Sequence, residues 1–405
     1  MYHLNTGYNA YIIDYIQGFI VEFDSFSTSR VALNKTKKLQ LAIAASFMLI
    51  STATYAVEIE KKIIVTSGVE HDSNPDMSVN NKNPVWLFTL LPQFQLDLKD
   101  DLNRWYLDAG LEILRYSNEK AVANQENPRL TAGWERAYES GSFGVKASYQ
   151  ETTARTEELN NTGTFNNFDN TQTTKLIGAN WQHRFAPRWS VLTDASYSDV
   201  KYSVAGALED YTLASIKSKV VYENNERLNT YGLIGYSKYE PDLHKNTNLT
   251  RAALGADYQI SEGLTISPHV GMYNLSGRQS DSDWEAGIKA DYNTPTFQYG
   301  ASIARDVEDS GLGFRIVDSV KLGAQYSITE RDRIGADYGF SQFKKDSSLN
   351  VNKLDAQSLG VFYARNISEH WLGRVYLNHK ELDFSGSNPK GNVIGFTLVF
   401  DTLSF

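Results

Sequence analysis

Residues 284–292 read Trp284-Glu285-Ala286-Gly287-Ile288-Lys289-Ala290-Asp291-Tyr292. Taken alternately, Trp284, Ala286, Ile288, Ala290 and Tyr292 fall on one face, and Glu285, Gly287, Lys289 and Asp291 on the other. A helix would mix these two sets; a strand separates them into an apolar and a polar side. The same two-residue period recurs at 143–150, 297–304 and 334–341, where Ile334, Ala336, Tyr338 and Phe340 stand against Gly335, Asp337, Gly339 and Ser341. No segment has a helical period. Strands of this kind need water on one side and something apolar on the other.

Outward from that stretch, about 18 such segments fill the chain from residue 62 to residue 403. Short connections such as Glu139–Ser142, Phe185–Arg188, Thr294–Thr296, Thr329–Arg331 and Ser368–His370 alternate with long, polar, Asn-rich ones at 72–84, 118–127, 156–170 and 344–352. An even strand count with short turns on one side and long loops on the other predicts an all-β fold: a transmembrane antiparallel up-and-down β-barrel of about 18 strands. Both termini then fall on the short-turn, periplasmic side. Barrels of this size enclose an aqueous lumen.

Composition agrees. The 405 residues are 41% hydrophobic yet 12% aromatic, with 24 Tyr and 19 Phe. No run of apolar residues is long enough for a membrane-spanning helix. The chain has no cysteine, which excludes thiolate metal sites, thiol nucleophiles and disulfides. A net charge of −9 without a basic stripe argues against a nucleic-acid partner.

The N-terminus reads as targeting sequence. Lys35, Lys37 and Lys38 precede the apolar run Leu39–Ile50, and Thr54 and Ala56 stand at the −3 and −1 positions of a cleavage site. Residues before Val31 carry Asp14, Glu22 and Asp24, which no signal needs. The expected organisation is therefore an extraneous extension over 1–34, a cleaved signal peptide over 35–56, and the barrel over 57–405, exported to the outer membrane of a Gram-negative bacterium.

The tryptophans give a separate reading. Trp105, Trp189 and Trp371 open strands after short turns, Trp134 and Trp181 close strands entering them, and Trp86 and Trp284 open strands leaving long loops. All seven map to membrane interfaces, as an aromatic girdle requires. Pro92 and Pro268 fall inside strands, where each is expected to need a bulge. At the C-terminus the outward row Ile394, Phe396, Leu398, Phe400 is broken at Asp401 before Leu403 and Phe405. The strand that engages the barrel-assembly machinery thus ends at Phe400, or at Phe405 after a bulge.

Two motifs carry a resemblance. The opening Val65-Thr-Ser-Gly-Val-Glu-His-Asp-Ser-Asn-Pro75 and the turns Ile260-Ser-Glu-Gly-Leu264 and Ile367-Ser-Glu-His-Trp371 resemble the second beta-barrel porin group, found beside capsule and exopolysaccharide gene clusters. The likeness extends over 57–405. It implies a barrel that passes capsular or matrix polysaccharide and supplies no catalytic motif.

The inner face carries Asp108, Glu112, Glu135, Lys146, Asp194, Lys217, Lys219, Arg251, Asp257, Glu285, Lys289, Asp291, Lys321, Arg333, Asp337 and Arg374. These eight acids and eight bases either line a hydrated pathway or pair across neighbouring strands to hold the wall. In the long loops acids exceed bases by roughly two to one, an acidic mouth. Tyr106, Tyr116, Tyr236 and Tyr376 are inward candidates for stacking on sugars. None of the histidines at 71, 183, 244, 269, 370 and 379 sits in a catalytic motif, and only His269 is placed in the lumen.

The expected function is a passive conduit for exopolysaccharide export, with a general diffusion porin for small solutes and an outer-membrane hydrolase or adhesin as alternatives. No enzymatic activity, cofactor or metal is expected. The expected partners are outer-membrane lipid and lipopolysaccharide, the polysaccharide itself and the assembly machinery.

Overall fold

A computed structural model describes residues 58–80, 82–119, 121–153, 170–204, 208–343, 354–384 and 387–403. The expected extension and signal peptide, most of loop 156–170, loop 344–352 and Phe405 lie outside the described residues.

Eighteen strands follow in chain order: β1 Glu58–Asp72, β2 Val85–Lys99, β3 Asn103–Tyr116, β4 Gln125–Tyr138, β5 Gly141–Thr153, β6 Thr171–Ala186, β7 Trp189–Tyr202, β8 Tyr211–Asn225, β9 Leu228–Pro241, β10 Thr247–Gln259, β11 Leu264–Gly277, β12 Asp281–Asn293, β13 Phe297–Ser310, β14 Gly313–Ser327, β15 Asp332–Phe343, β16 Leu354–Asn366, β17 Trp371–Phe384 and β18 Lys390–Asp401. Each pairs antiparallel with its sequence neighbours, and β18 closes on β1 from Ile64↔Asp401 to Asp72↔Val393. The result is a closed 18-stranded barrel.

Local chemistry sets the short turns. Asp100 Oδ1 accepts the N–H groups of Leu102 and Asn103 at 2.9 and 2.6 Å. Asn225 Oδ1 does the same for Arg227 and Leu228, and Thr329 Oγ1 for Arg331 and Asp332. Side chains that satisfy the turn amides in this way favour tight reversals.

The strands are 12 to 16 residues long. A tilted strand crosses the hydrocarbon core with about 9–11 residues, so each one spans it with both ends projecting. Ile177, Ile234, Leu254 and Met272, all on the outer face, are 67, 66, 68 and 67% exposed. A continuous apolar exterior of this kind is stable only against lipid. Closure, an even strand number and an apolar sheath together define an outer-membrane barrel of the Gram-negative envelope, with short turns periplasmic and longer loops outside.

All seven tryptophans lie on the outer face near strand ends. Trp105 and Trp134 are cross-strand partners, Trp181 stacks on His183 at 5.5 Å, Trp189 packs on Tyr222 at 4.7 Å and Trp371 on Phe400 at 5.0 Å. These five stand at the turn end; Trp86 and Trp284 stand at the loop end.

The expectation of bulges at both prolines is overturned. Pro92 stays paired with Val65 and Pro268 with Ile288, and on their other sides the register resumes unshifted, from Leu90↔Ile113 to Gln93↔Gly110 and from Gly255↔His269 to Tyr258↔Ile266. An interior residue bonds one neighbour only, so proline interrupts one ladder and spares the other without a slip. The register shifts instead occur between Arg184 and Ala186 and between Glu223 and Asn225, both beside periplasmic turns. The last strand carries no bulge: Ile394, Phe396 and Phe400 share one face, and Asp401 turns inward to Lys62 at 2.8 Å.

Candidate functional site

Alternation in every strand follows from the exposed apolar rows, which fix the opposite residues as lumen-facing. Asp108, Glu112, Glu135, Lys146, Asp194, Lys217, Lys219, Arg251, Asp257, Glu285, Lys289, Asp291, Lys321, Arg333, Asp337 and Arg374 all lie on the lumen side by this alternation. Part of the set is paired. Lys219 meets Asp257 at 3.3 Å, Lys289 meets Asp291 at 2.7 Å, and Arg104 holds Asp97 at 2.6 Å with Glu135 at 3.6 Å. Asp108 accepts from the Gln93 and Gln95 amides at 2.7 and 2.9 Å, and Glu112 from Asn127 at 3.1 Å. Arg333 donates to Asn366 at 3.1 Å. Among the described residues Lys146, Asp194, Lys217, Lys321, Asp337 and Arg374 form no ion pair, so their charges stand toward the lumen.

A second pattern escaped the sequence reading. Tyr106, Tyr231, Phe362 and Tyr376 lie flush against the inner wall, each over a glycine of an adjacent strand. A Cβ added at Gly133, Gly255, Gly335 or Gly395 would meet these rings at 2.3 to 2.4 Å. Cations stand over all four: Arg104 at 5.5 Å from Tyr106, Lys219 at 3.7 Å from Tyr231, and Arg374 at 4.1 Å from Phe362 and 5.9 Å from Tyr376. Each stack of glycine, ring and cation spans neighbouring strands within a few residues of the periplasmic turns, fixing a positive charge at the lumen wall.

Tyr236 is not among the inward tyrosines. It is 42% exposed on the outer face, its hydroxyl donating to Asn248 at 3.0 Å, while Gly235 and Ser237 face inward. The adjacent apolar pair Leu233–Ile234 fits either phase, which hid the alternation of β9. Tyr116 is on the lumen side of β3 at its outer end. His269 faces inward against Gly287.

The outer half of the lumen is not empty. The β12–β13 ladder stops at Ala286↔Arg305, short of the ends of both strands. Beyond it the β13–β14 hairpin stays paired to its tip at Ser310↔Gly313 and leaves the wall for the interior. Val307, Phe314 and Ile316 have the same phase as the lipid-facing Ile303 and Leu322, yet all three are buried. They pack against inward residues of the facing wall: Tyr211 of β8, Tyr239 of β9, Leu249 of β10, and Tyr273 and Leu275 of β11. The faces thus meet as two layers of a sandwich.

Polar atoms of the tip are tied as well. Gln279 donates to the Phe314 carbonyl at 2.6 Å and accepts its N–H at 2.9 Å. Tyr211 donates to Asp309 at 3.1 Å, and the Glu209 N–H to the Gly311 carbonyl at 3.1 Å. Gly313, at φ 107°, supplies the left-handed residue the tight turn needs. On the other side of the hairpin Val317 packs with Phe343 and Leu354, and Arg315 lies over the Phe343 ring at 5.4 Å. At its base Arg251 bridges Glu285 at 2.9 Å and Asp306 at 3.1 Å.

Taken strand by strand, the sequence over 307–313 does not distinguish a hairpin that turns inward from an outer loop. The missed signal was the cluster of apolar residues at inward phase in β8–β11, where a water-filled lumen calls for polar ones.

No protein-family model matches the chain, and no curated protein matches it. Solved structures share the fold. The FrpB iron transporter from Neisseria meningitidis, F5-1 variant, superposes with a TM-score of 0.50 at 9% identity over 80% of this chain. The matched part is 63% of FrpB, so the chain spans less than two thirds of that protein. Acinetobacter baumannii OccAB4 gives 0.49 at 10% identity, covering 85% of this chain and 98% of its own. Pseudomonas aeruginosa OccK10 (OpdN) gives 0.46 at 9%, covering 86% and 100%. At 9% identity the likeness to FrpB is one of fold.

Proposed function

We propose that the chain is a passive channel of the outer membrane for polar solutes. The observation that carries this is the inner wall: charged and hydrogen-bonding side chains face the lumen of a closed barrel sheathed in apolar residues. In its periplasmic half a hydrated solute meets charged and hydrogen-bonding side chains beside the rings of Tyr106, Tyr231 and Phe362. The charged positions other than the fully buried Glu285 form the surface such a solute meets, and their nearly equal numbers of each sign favour neutral and zwitterionic cargo over strong ion preference. Small solutes suit the lumen best, because the β13–β14 hairpin occupies part of its outer half. Reconstituted in planar bilayers, the purified protein should give stepwise currents that scale with bulk salt. Protein that inserts folded and leaves the bilayer silent refutes the reading.

A second reading, export of capsular or matrix polysaccharide, is favoured by Tyr106 and Tyr376, rings laid flat along the wall on which pyranose faces can stack. A deletion strain with unchanged surface polysaccharide excludes it. We also assign the tryptophan belt to lipid and lipopolysaccharide contact, and the outward row ending at Phe400 to the assembly machinery.

A further inference from the structure

We propose that the β13–β14 hairpin is a fixed second wall that sets the size limit of the channel, and not a lid that opens and shuts it. The inference rests on the channel reading and deepens it by naming the element that selects cargo.

Position comes first. Above Ala286↔Arg305 the hairpin stands inside the barrel, so any solute passing the outer half has to share the lumen with it. Its lipid-phase face is covered by β8–β11, which leaves the passage on its opposite side. There the hairpin presents the exposed Glu308, while Asp306 at its base is held by Arg251 of β10. The cargo is therefore slender and polar, and it moves past the side of the hairpin that faces away from β8–β11.

Fixity comes second. Elements that move open at low cost, with few buried apolar contacts and solvated hydrogen bonds. This hairpin has the reverse: Phe314 is 4% exposed, and it sits in the most extensive buried apolar cluster among the described residues. Tyr239 stacks on Tyr211 at 4.6 Å and meets the Phe314 ring at 5.8 Å. Both backbone polar groups of Phe314 are taken by Gln279. The Val317–Phe343–Leu354 contacts anchor the base from the other side. Opening would require all of these to part together, exposing tyrosines and aliphatics to water.

The test uses the full chain in planar bilayers, with polyethylene glycols of graded size as the probe. In the first variant residues 307–316 are replaced by Asn-Gly, joining the cross-strand partners Asp306 and Val317. Conductance should rise about twofold or more as the lumen widens, and larger glycols should enter. Unchanged conductance with an unchanged size limit overturns the proposal.

The second variant, Leu208→Cys with Gly311→Cys, needs no deletion. A Cβ at Gly311 would stand 3.0 Å from that of Leu208, somewhat inside the roughly 3.5–4.5 Å of a disulfide, and 2.6 Å from the Tyr202 hydroxyl, so closing the bond moves the tyrosine end and the tip slightly apart; the chain has no other cysteine. Oxidised and reduced forms should conduct alike, with the same size limit. Loss of conductance or of open–closed transitions on oxidation alone would reveal a moving lid and overturn the proposal. A silent wild type would remove the channel reading and this inference with it, whereas a conducting wild type indifferent to the deletion removes this inference alone.

Discussion

Asp401 tests how the barrel closes. Its Oδ2 lies 2.8 Å from Lys62 Nζ and its Oδ1 accepts the Leu403 N–H at 3.0 Å. Ile64↔Asp401 is the last pair of the β1–β18 seam, which joins the two ends of the chain. Just below it, Thr402 replaces a ladder partner: its N–H donates to the Ile63 carbonyl at 3.0 Å, and its Oγ1 accepts the Ile63 N–H at 2.9 Å. The Asp401 side chain is 8% exposed and that of Lys62 27%.

Asp401→Ala removes the charged hydrogen bond to Lys62, worth about 1.5–3 kcal/mol, and the bond from the Leu403 N–H, which water can replace. Water in the lumen screens the ammonium that remains, which places the loss at about 1–3 kcal/mol. Replacing both residues, Lys62→Met with Asp401→Ala, removes that unpaired charge and should recover part of the loss. Urea titration in lipid vesicles, read by the gel shift between folded and unfolded barrel, gives the free energies. Asp194→Ala, at an inner-face acid without an ion pair, is the comparison. A loss at Asp401 no greater than at Asp194, or strictly additive effects of the Lys62 and Asp401 changes, would show that the pair does not hold the seam.

Gly133→Val would set a side chain 2.3 Å from the Tyr106 ring and should cost about 1–3 kcal/mol in the same titration, while Gly323→Ala, with nothing within 4 Å, should be near neutral. Leu254→Arg, on the lipid face midway along β10, should cost about 2–4 kcal/mol; a neutral result would remove Leu254 from the hydrocarbon zone. Glu308→Lys should move the reversal potential in a salt gradient toward anions, and an unmoved potential would show that the passage avoids this face of the hairpin. The N–H groups of Leu102 and Asn103 hold the Asp100 carboxyl below its ordinary 3.8, so its contribution to stability is present above that value and is lost as pH falls through the lowered one. Asp100→Asn should therefore flatten the acid limb of a stability profile, and an unaltered limb would refute the assignment.

What was legible in the sequence is what repeats. A period of two with one polar face, reset by turn residues, marks each wall strand independently, so the alternating stretches 284–292 and 394–400 fall within β12 and β18. Lumen-facing charges followed from the same alternation. Legibility failed where a residue is tolerated on both faces. Tyrosine is one case: at Tyr236 the neighbouring Leu233–Ile234 pair leaves the phase open. The prolines failed for another reason, since whether a lost N–H forces a slip depends on the two flanking ladders, which no single strand displays.

The hairpin was hidden by the success of the same rule. Phe314 and Ile316 continue the lipid phase of β14, and a strand-by-strand reading assigns them to the membrane or to a loop above it. What distinguishes them is on other strands. Tyr211, Tyr239, Leu249, Tyr273 and Leu275 are apolar at the phase that faces water everywhere lower in the same strands, and all lie toward the outer ends. Left uncovered, such a patch is costly, at about 25 cal/mol per Å². In a barrel, then, apolar residues at inward phase on several consecutive strands require a second layer of the same chain, and the segment able to supply it must be two-faced and long enough to reach. Val307–Val317 satisfies both conditions, with apolar residues at the outward positions 307, 314 and 316 and charges at the inward positions 308 and 315. The binary pattern therefore encodes the constriction as well as the wall, provided that the phases of all strands are compared at equal height.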